Sequence, residues 1–270
     1  MLVGVDASRA IADRPTGTET YSRHLIQALL RRGGSHRFRL YFRSPPPQGL
    51  FPGAELRFIP FPRLWTHIRL AWEMVSRPPD VLFVPAHVLP PIHPRRSLVT
   101  VHDLGYLAFP ETHPWRQRLY LDLSTRWNAR AATHILSDSE ATKNDLIAHY
   151  DVRPDKVTVA YPGADESLRP VHDATAIRSV RRRYGIADDY FLYIGTLQPR
   201  KNLNRLVEAF AQFVTQHSSR PVQLVLAGKR GWLYPDLCKQ IEDLGLEQRV
   251  CLPGYVAQED KATLLSGAIA

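Results

Sequence analysis

Two stretches of this 270-residue chain place reactive or charged side chains where α/β proteins do chemistry. The first runs Tyr190-Phe191-Leu192-Tyr193-Ile194-Gly195-Thr196-Leu197-Gln198-Pro199-Arg200-Lys201-Asn202-Leu203. Tyr190 to Ile194 is short, apolar and bounded by Gly195, which predicts a buried strand. From Asn202 onward Leu203, Leu206, Val207, Phe210 and Val214 recur at helical spacing, and Asn202 suits the N-cap. Gly195 would let a ligand approach the backbone. The helix start offers free N–H groups and the positive end of its dipole. Arg200 and Lys201 add two cations there, a combination that suits a diphosphate. The same pattern also fits an ordinary strand-to-helix connection with two solvated cations.

The second stretch is Ser97-Leu98-Val99-Thr100-Val101-His102-Asp103-Leu104. A histidine and an acid at the C-terminal end of a parallel strand point into the ligand crevice. His102 could hydrogen-bond a substrate hydroxyl or act as acid or base. The alternative is a His-Asp pair that only caps the next segment. Earlier, a polar loop after the first strand ends in Thr16-Gly17-Thr18-Glu19-Thr20, and a helical stripe follows from Tyr21; a glycine at the mouth of such a helix is another place where ligands bind, although many such loops carry glycine for geometry alone. Gly228-Lys229 follows the apolar run 222–227 and offers a further phosphate or sugar contact.

These residues need a frame, and the rest of the chain supplies one. Strand-like runs at 2–6, 38–42, 56–59, 80–85, 97–104, 133–137 and 157–160 alternate with helical patterns, the longest at 115–131. That alternation predicts a parallel, doubly wound sheet. His87 falls in a strand-end loop. Leu64 to Val75 reads as one amphipathic helix; Trp65 and Trp72 are expected in the core, and a membrane-surface helix is the alternative. Tyr161-Pro162-Gly163-Ala164-Asp165 breaks the pattern. A basic helix, 176–184, then opens a second βαβα series, and its Arg181-Arg182-Arg183 triplet reads as a solvated face. The expected domains are 1–163 and 164–270.

The net charge of +9 comes from 29 arginines and 6 lysines against 26 acids. Residues 1–163 hold 21 basic and 14 acidic side chains, so the first half carries most of the excess. A basic half favours an anionic partner: nucleic acid, a phosphate-bearing substrate or an anionic membrane. No aromatic-interleaved RNA-binding motif occurs, and nucleic acid is not the expected partner. Neither G-x-G-x-x-G nor a Walker A string is present, which disfavours dehydrogenases and P-loop enzymes. Cys238 and Cys251 make no metal-ligand or C-x-x-C spacing, and a reduced, cytoplasmic chain is expected. No signal-peptide pattern and no apolar run of membrane-spanning length is seen.

Taken in order, the motifs resemble the retaining glycosyltransferases of family 4, of GT-B fold, nearest the mannosyltransferase-B-like group. Thr16 to Tyr21, Val101 to Leu104, Ser137 to Glu140, Tyr161 to Asp165, Tyr193 to Asn202, Leu224 to Gly228 and Leu252 to Val256 carry the likeness. The Gly-Thr-Leu-x-Pro-Arg-Lys-Asn string is the most specific. The resemblance implies two Rossmann-like domains facing a cleft, the first on the acceptor side and the second holding a nucleotide-diphosphate sugar such as GDP-mannose. It implies that Gly17 approaches the donor phosphate or the acceptor, with Thr18 and His102 also on the acceptor side. His102 would lie near the transferred sugar, supported by Asp103. Arg200 and Lys201 would bind the diphosphate and stabilise the leaving group. Gly195, Thr196, Gly228, Tyr255 and Val256 would line the nucleotide pocket. No Asp-x-Asp motif occurs, so no metal and no cofactor is expected. The acceptor would be a glycan or lipid-linked glycan in polysaccharide or O-antigen assembly, reached at the inner face of an anionic membrane. The resemblance also implies a further segment, with two donor-binding glutamates, past the helix near Gln258. The second domain is therefore expected to be incomplete, with an exposed sheet edge, and a non-catalytic nucleotide or glycan binder is the alternative function.

Overall fold

The computed structural model describes every residue except His87, Ser218, Ser219, Trp232 and Leu233. His87 thus lies outside the described residues. The chain forms two compact units, Met1–Pro162 and Gly163–Ala270, divided inside the Tyr161–Asp165 break.

The first unit runs β1 (Leu2–Asp6), α1 (Gly17–Arg32), β2 (Arg37–Phe42), β3 (Glu55–Phe58), α2 (Ala71–Ser76), β4 (Val81–Val84), β5 (Ser97–Val101), α3 (Gly105–Ala108), α4 (Trp115–Ala131), β6 (His134–Ser137), α5 (Glu140–Tyr150) and β7 (Val157–Val159). Its sheet has the order β3-β2-β1-β4-β5-β6-β7, every pair parallel. Successive side chains on a strand face opposite ways, and here both faces are covered. Leu82 and Val84 enter one core cluster, while Phe83 between them enters the other. The order reverses beside β1, which puts the topological switch point between β1 and β4, the position where open α/β sheets hold ligands.

The second unit runs α6 (Ala174–Tyr184), β8 (Tyr190–Ile194), α7 (Leu203–Gln216), β9 (Gln223–Ala227), α8 (Tyr234–Asp243), β10 (Val250–Gly254) and α9 (Gln258–Gly267). Its parallel sheet has the order β10-β9-β8. Leu224 and Leu226 feed one core, Val225 and Ala227 the other. A bare edge is expected somewhere in this sheet; the edge at β8 is partly covered. The Ile269 N–H donates to the Tyr190 carbonyl at 2.9 Å, and the Leu192 N–H donates to the Ala270 carbonyl at 2.8 Å.

Three local expectations need correction. Leu64 to Val75 is not one regular helix: a wide π turn, Thr66–Leu70, runs into α2. Such a turn shifts the phase of the faces on either side of it. Trp65 is buried and donates Nε1–H to the Ile59 carbonyl at 2.7 Å, whereas Trp72 is 64% exposed and lies outside the core. The Arg181–Arg183 triplet is not simply solvated. Arg181 bonds the Asp188 carboxylate at 2.6 Å, and Arg183 reaches the buried Asp260 at 2.7 Å; only Arg182 fits the expectation. The cause is tertiary: α6 packs on α9, which carries Asp260. Cys238 and Cys251 are both free thiols.

Candidate active site

In the first unit the strand ends β4, β5 and β6 meet on one imidazole. Val101 pairs with Ser137 in the β5–β6 ladder, so the next residues, His102 and Asp138, leave the sheet side by side. His102 Nδ1 lies 2.6 Å from Asp138 Oδ2, and Nε2 lies 3.0 Å from the Pro85 carbonyl. Both partners only accept hydrogen bonds. A neutral ring has one N–H and can satisfy one of them; an imidazolium satisfies both. Held this way, the ring turns no lone pair toward a substrate. Asp103, expected to support His102, instead accepts from the Gly105 N–H at 2.9 Å and starts α3. Asp138 is the supporting carboxylate.

Tyr21, one turn into α1, sets its ring edge-on to His102 with centroids 4.8 Å apart. Gly17 and Thr18 open the same helix, so the acceptor-side residues of the sequence reading gather at this end of the sheet. Space around Gly17 is open: a Cβ there would meet no atom within 4 Å. Packing therefore does not require glycine at 17. The Thr16 N–H donates to Glu19 Oε2 at 2.9 Å, and Arg9 sits 3.5 Å from the same carboxylate. Burial works to raise the Glu19 carboxyl, but the Thr16 hydrogen bonds and the Arg9 charge together hold it below its ordinary value. Beyond the ends of β1, β2 and β3 opens a pocket of roughly 400 Å³, with Arg9, Arg43, Trp65, His67 and Tyr120 among its walls.

In the second unit the glycines earn their places differently. Gly228 has φ +144°, and a Cβ on it would fall 1.8 Å from the Gly195 carbonyl oxygen, so the two strand ends touch backbone to backbone. A Cβ on Gly195 would meet the Tyr193 hydroxyl at 2.6 Å; that hydroxyl donates to the Thr196 carbonyl at 3.2 Å. Burial pushes the Tyr193 phenol up, and the nearby Arg200 charge pulls it back.

Arg200 and Lys201 lie on a 3-10 turn, Pro199–Lys201, directly before α7. Asn202 precedes the helix, but in a left-handed conformation (φ 54°) with no side-chain cap bond, which departs from the expected N-cap. The first-turn N–H groups of α7 are thus not taken by a cap, and two cations stand beside them. Lys261 Nζ lies 6.0 Å from the Tyr255 ring. The Val256 side chain is buried with Val225 and Leu264, leaving only its backbone to line a pocket.

The sequence profile described as Glycosyltransferase Family 4 matches residues 15–168, and that of Glycosyl transferases group 1 matches 178–270. The chain belongs to glycosyltransferase family 4. Among curated relatives it is 28% identical over 201 residues to the O-antigen chain mannosyltransferase B of Escherichia coli, covering 74% of this chain. The chain spans about half the length of that relative (52%). Among solved structures it resembles HepE from Anabaena, in complex with UDP and glucose: TM-score 0.69, 19% identity, 99% of this chain and 72% of HepE. It also resembles WaaG, a glycosyltransferase involved in lipopolysaccharide biosynthesis: TM-score 0.68, 16% identity, 99% of this chain and 73% of WaaG. At these identities the likeness speaks for the fold, a GT-B fold with a parallel α/β sheet in each unit.

Within this family 4 chain, sequence reasoning missed Asp138, Tyr21, Arg9 and Arg43. The signal for Asp138 was present: two adjacent parallel strands, each followed at once by a polar residue. Arg9 and Arg43 follow strand ends too, but arginine is so frequent here that their positions do not stand out.

Proposed function

We propose that the chain is a retaining glycosyltransferase moving a hexose, mannose, from a nucleotide-diphosphate sugar to a glycan or lipid-linked acceptor in polysaccharide or O-antigen assembly. The observation that carries the reading is the Arg200-Lys201 turn ahead of the uncapped start of α7. As the glycosidic bond breaks, negative charge grows on the diphosphate. Two cations on one turn and the positive end of a helix would stabilise that charge. Likeness to an O-antigen mannosyltransferase supports mannose, and GDP-mannose is the donor this reading names. A likeness to HepE, solved with UDP and glucose, supports a nucleotide sugar in general. The lack of an Asp-x-Asp string supports transfer without a metal. The resemblance further implies retention without a protein nucleophile of the glycosidase type. Gly195, Thr196, Gly228 and Tyr255 take the nucleotide side, and Gly17, Thr18 and His102 the acceptor side. The place of action in this reading is cytoplasmic, at the inner face of a membrane.

The test is thermal stability with GDP, UDP, ADP and their sugars, for wild type and Arg200→Ala/Lys201→Ala. A ligand at a hundred times its Kd stabilises by about 2.7 kcal/mol. A shift with one nucleotide, absent in the double variant, is expected. No shift with any nucleotide would sink the donor assignment. Binding without sugar transfer to any acceptor would support a non-catalytic binder.

A further inference from the structure

We propose that the pocket beyond β1, β2 and β3 binds an acidic sugar of the acceptor, its carboxylate or phosphate held by Arg9 and Arg43. This deepens the acceptor reading and rests on it. The pocket measures roughly 400 Å³, within the span of about 300–1,000 Å³ that small-ligand sites occupy. Arg9, Arg43 and His67 stand in its walls, and no acid does among the described residues that line it. An arginine fork matches two oxygens of a carboxylate or phosphate at once. Arg43 follows β2 directly and donates Nη2–H to the Pro62 carbonyl. A guanidinium has five N–H groups, so this bond aims the fork without exhausting it. Among the described residues Arg43 has no acid partner, and Arg9 has one, Glu19, at 3.5 Å. Glu19 is satisfied by Thr16, so Arg9 can turn to a ligand without stranding that carboxylate.

Tyr120 of α4 converges on the same spot. Burial pushes its phenol up, and the Arg9 charge pulls it back. Its ring and that of Trp65 add the apolar wall that ligand pockets combine with a few polar groups. A bare anion would leave that wall unused. The backbone here is unusual as well. Leu64, Asp151 and Asn202 are the non-glycine residues with positive φ among the described residues. Aspartate and asparagine tolerate that region, and leucine rarely does. The Leu64 side chain is 63% exposed, so no core packing offsets the cost. The π turn Thr66–Leu70 follows and sets His67 into the pocket wall while Thr66 is buried. Strained residues and π turns of this kind gather at binding sites. Arg9 also ties the pocket to the acceptor side, because Glu19 shares the first turn of α1 with Gly17 and Thr18.

The test is isothermal titration of the full chain with mannose 6-phosphate, glucuronate, mannose and inorganic phosphate. At least one acidic sugar is expected to bind tenfold or more tighter than both mannose and inorganic phosphate. Tighter binding of the sugar phosphate would assign a phosphorylated glycan, and tighter binding of glucuronate a uronate-bearing one. Arg9→Gln/Arg43→Gln should weaken that binding about tenfold or more, as loss of a charge-assisted hydrogen bond does. Arg43→Lys keeps the charge but not the fork. It should weaken binding several-fold with an unchanged melting curve, and decides the matter if the double variant melts early. Arg200→Ala/Lys201→Ala should bind the acidic sugar as wild type does. Mannose or inorganic phosphate binding as tightly, no binding of either acidic sugar, full binding by both arginine variants, or loss in Arg200→Ala/Lys201→Ala would overturn the proposal. A nucleotide shift without acidic-sugar binding would overturn this pocket alone. Acidic-sugar binding without a nucleotide shift would overturn the donor reading alone.

Discussion

His102 Nδ1 pairs with Asp138 Oδ2 at 2.6 Å, across 36 positions of sequence, while the adjacent Asp103 turns away to the Gly105 N–H. The two acids therefore have separable effects. Asp138→Ala should cost about 1.5–3 kcal/mol, the range for a hydrogen bond to a charged group. It should also shift the ring resonances of His102 in NMR. Asp103→Ala should cost about 1 kcal/mol, as loss of one local hydrogen bond does, and leave those resonances in place. Equal effects on the ring would refute the assignment.

Glu19 gives a pH-dependent test. Its carboxyl is held below the ordinary value, so the folded state binds its proton more weakly than the unfolded state does. The stabilisation is therefore complete above the unfolded value of about 4.3 and fades as pH falls through the lower folded value. Glu19→Gln should lower the urea midpoint at neutral pH. The gap between variant and wild type should close in acid. A gap that persists below pH ~3 would mean the carboxylate charge is not what matters.

Two glycines predict opposite outcomes. Gly228→Ala puts a Cβ where the Gly195 carbonyl already is, at a φ that L-residues rarely adopt. A destabilisation of about 3 kcal/mol or more is expected in the second unit. Gly17→Ala meets open space and should leave the melting temperature near wild type while weakening ligand binding at that helix start. If both variants melt alike, the backbone contact between Gly195 and Gly228 is not a packing constraint.

Asp260 is the anchor of the arginine triplet. It is buried and accepts hydrogen bonds from Arg183 and from the Tyr184 hydroxyl, the latter at 2.8 Å. Asp260→Ala should destabilise the second unit by about 2 kcal/mol. Arg182→Ala, at an exposed site, should change stability by less than about 0.5 kcal/mol. Denaturant midpoints of the two variants compare them directly.

Much of the fold was legible because parallel strands buried on both faces read as short apolar runs, as at Val81–Val84 and Gln223–Ala227. The start of α1 was legible only to within a turn: the helical stripe from Tyr21 was visible, but the helix already opens at Gly17, inside the stretch expected to be loop. What escaped was tertiary. Nothing in the spacing of Leu64 to Val75 announces a π turn or says which tryptophan faces water. The triplet Arg181–Arg183 is separated from Asp260 by most of the second unit. At the candidate site, His102 was visible as a strand-end histidine, but its partner depended on register between β5 and β6. The glycines of the second unit looked like ligand-approach positions; backbone crowding between neighbouring strands, which no single strand reveals, accounts for Gly228.

The cage around His102 has a kinetic consequence. Its partners lie 17 residues upstream, at Pro85, and 36 downstream, at Asp138, on three different strand ends. No local segment can form it, and each contact requires closing a loop through a crossover. A one-residue slip of β5 against β6 would turn His102 to the other face of the sheet and leave Asp138 without its imidazole partner. A cage of this kind can close only once the register of β5 and β6 is correct. Substitution of His102 should speed unfolding more than it slows folding.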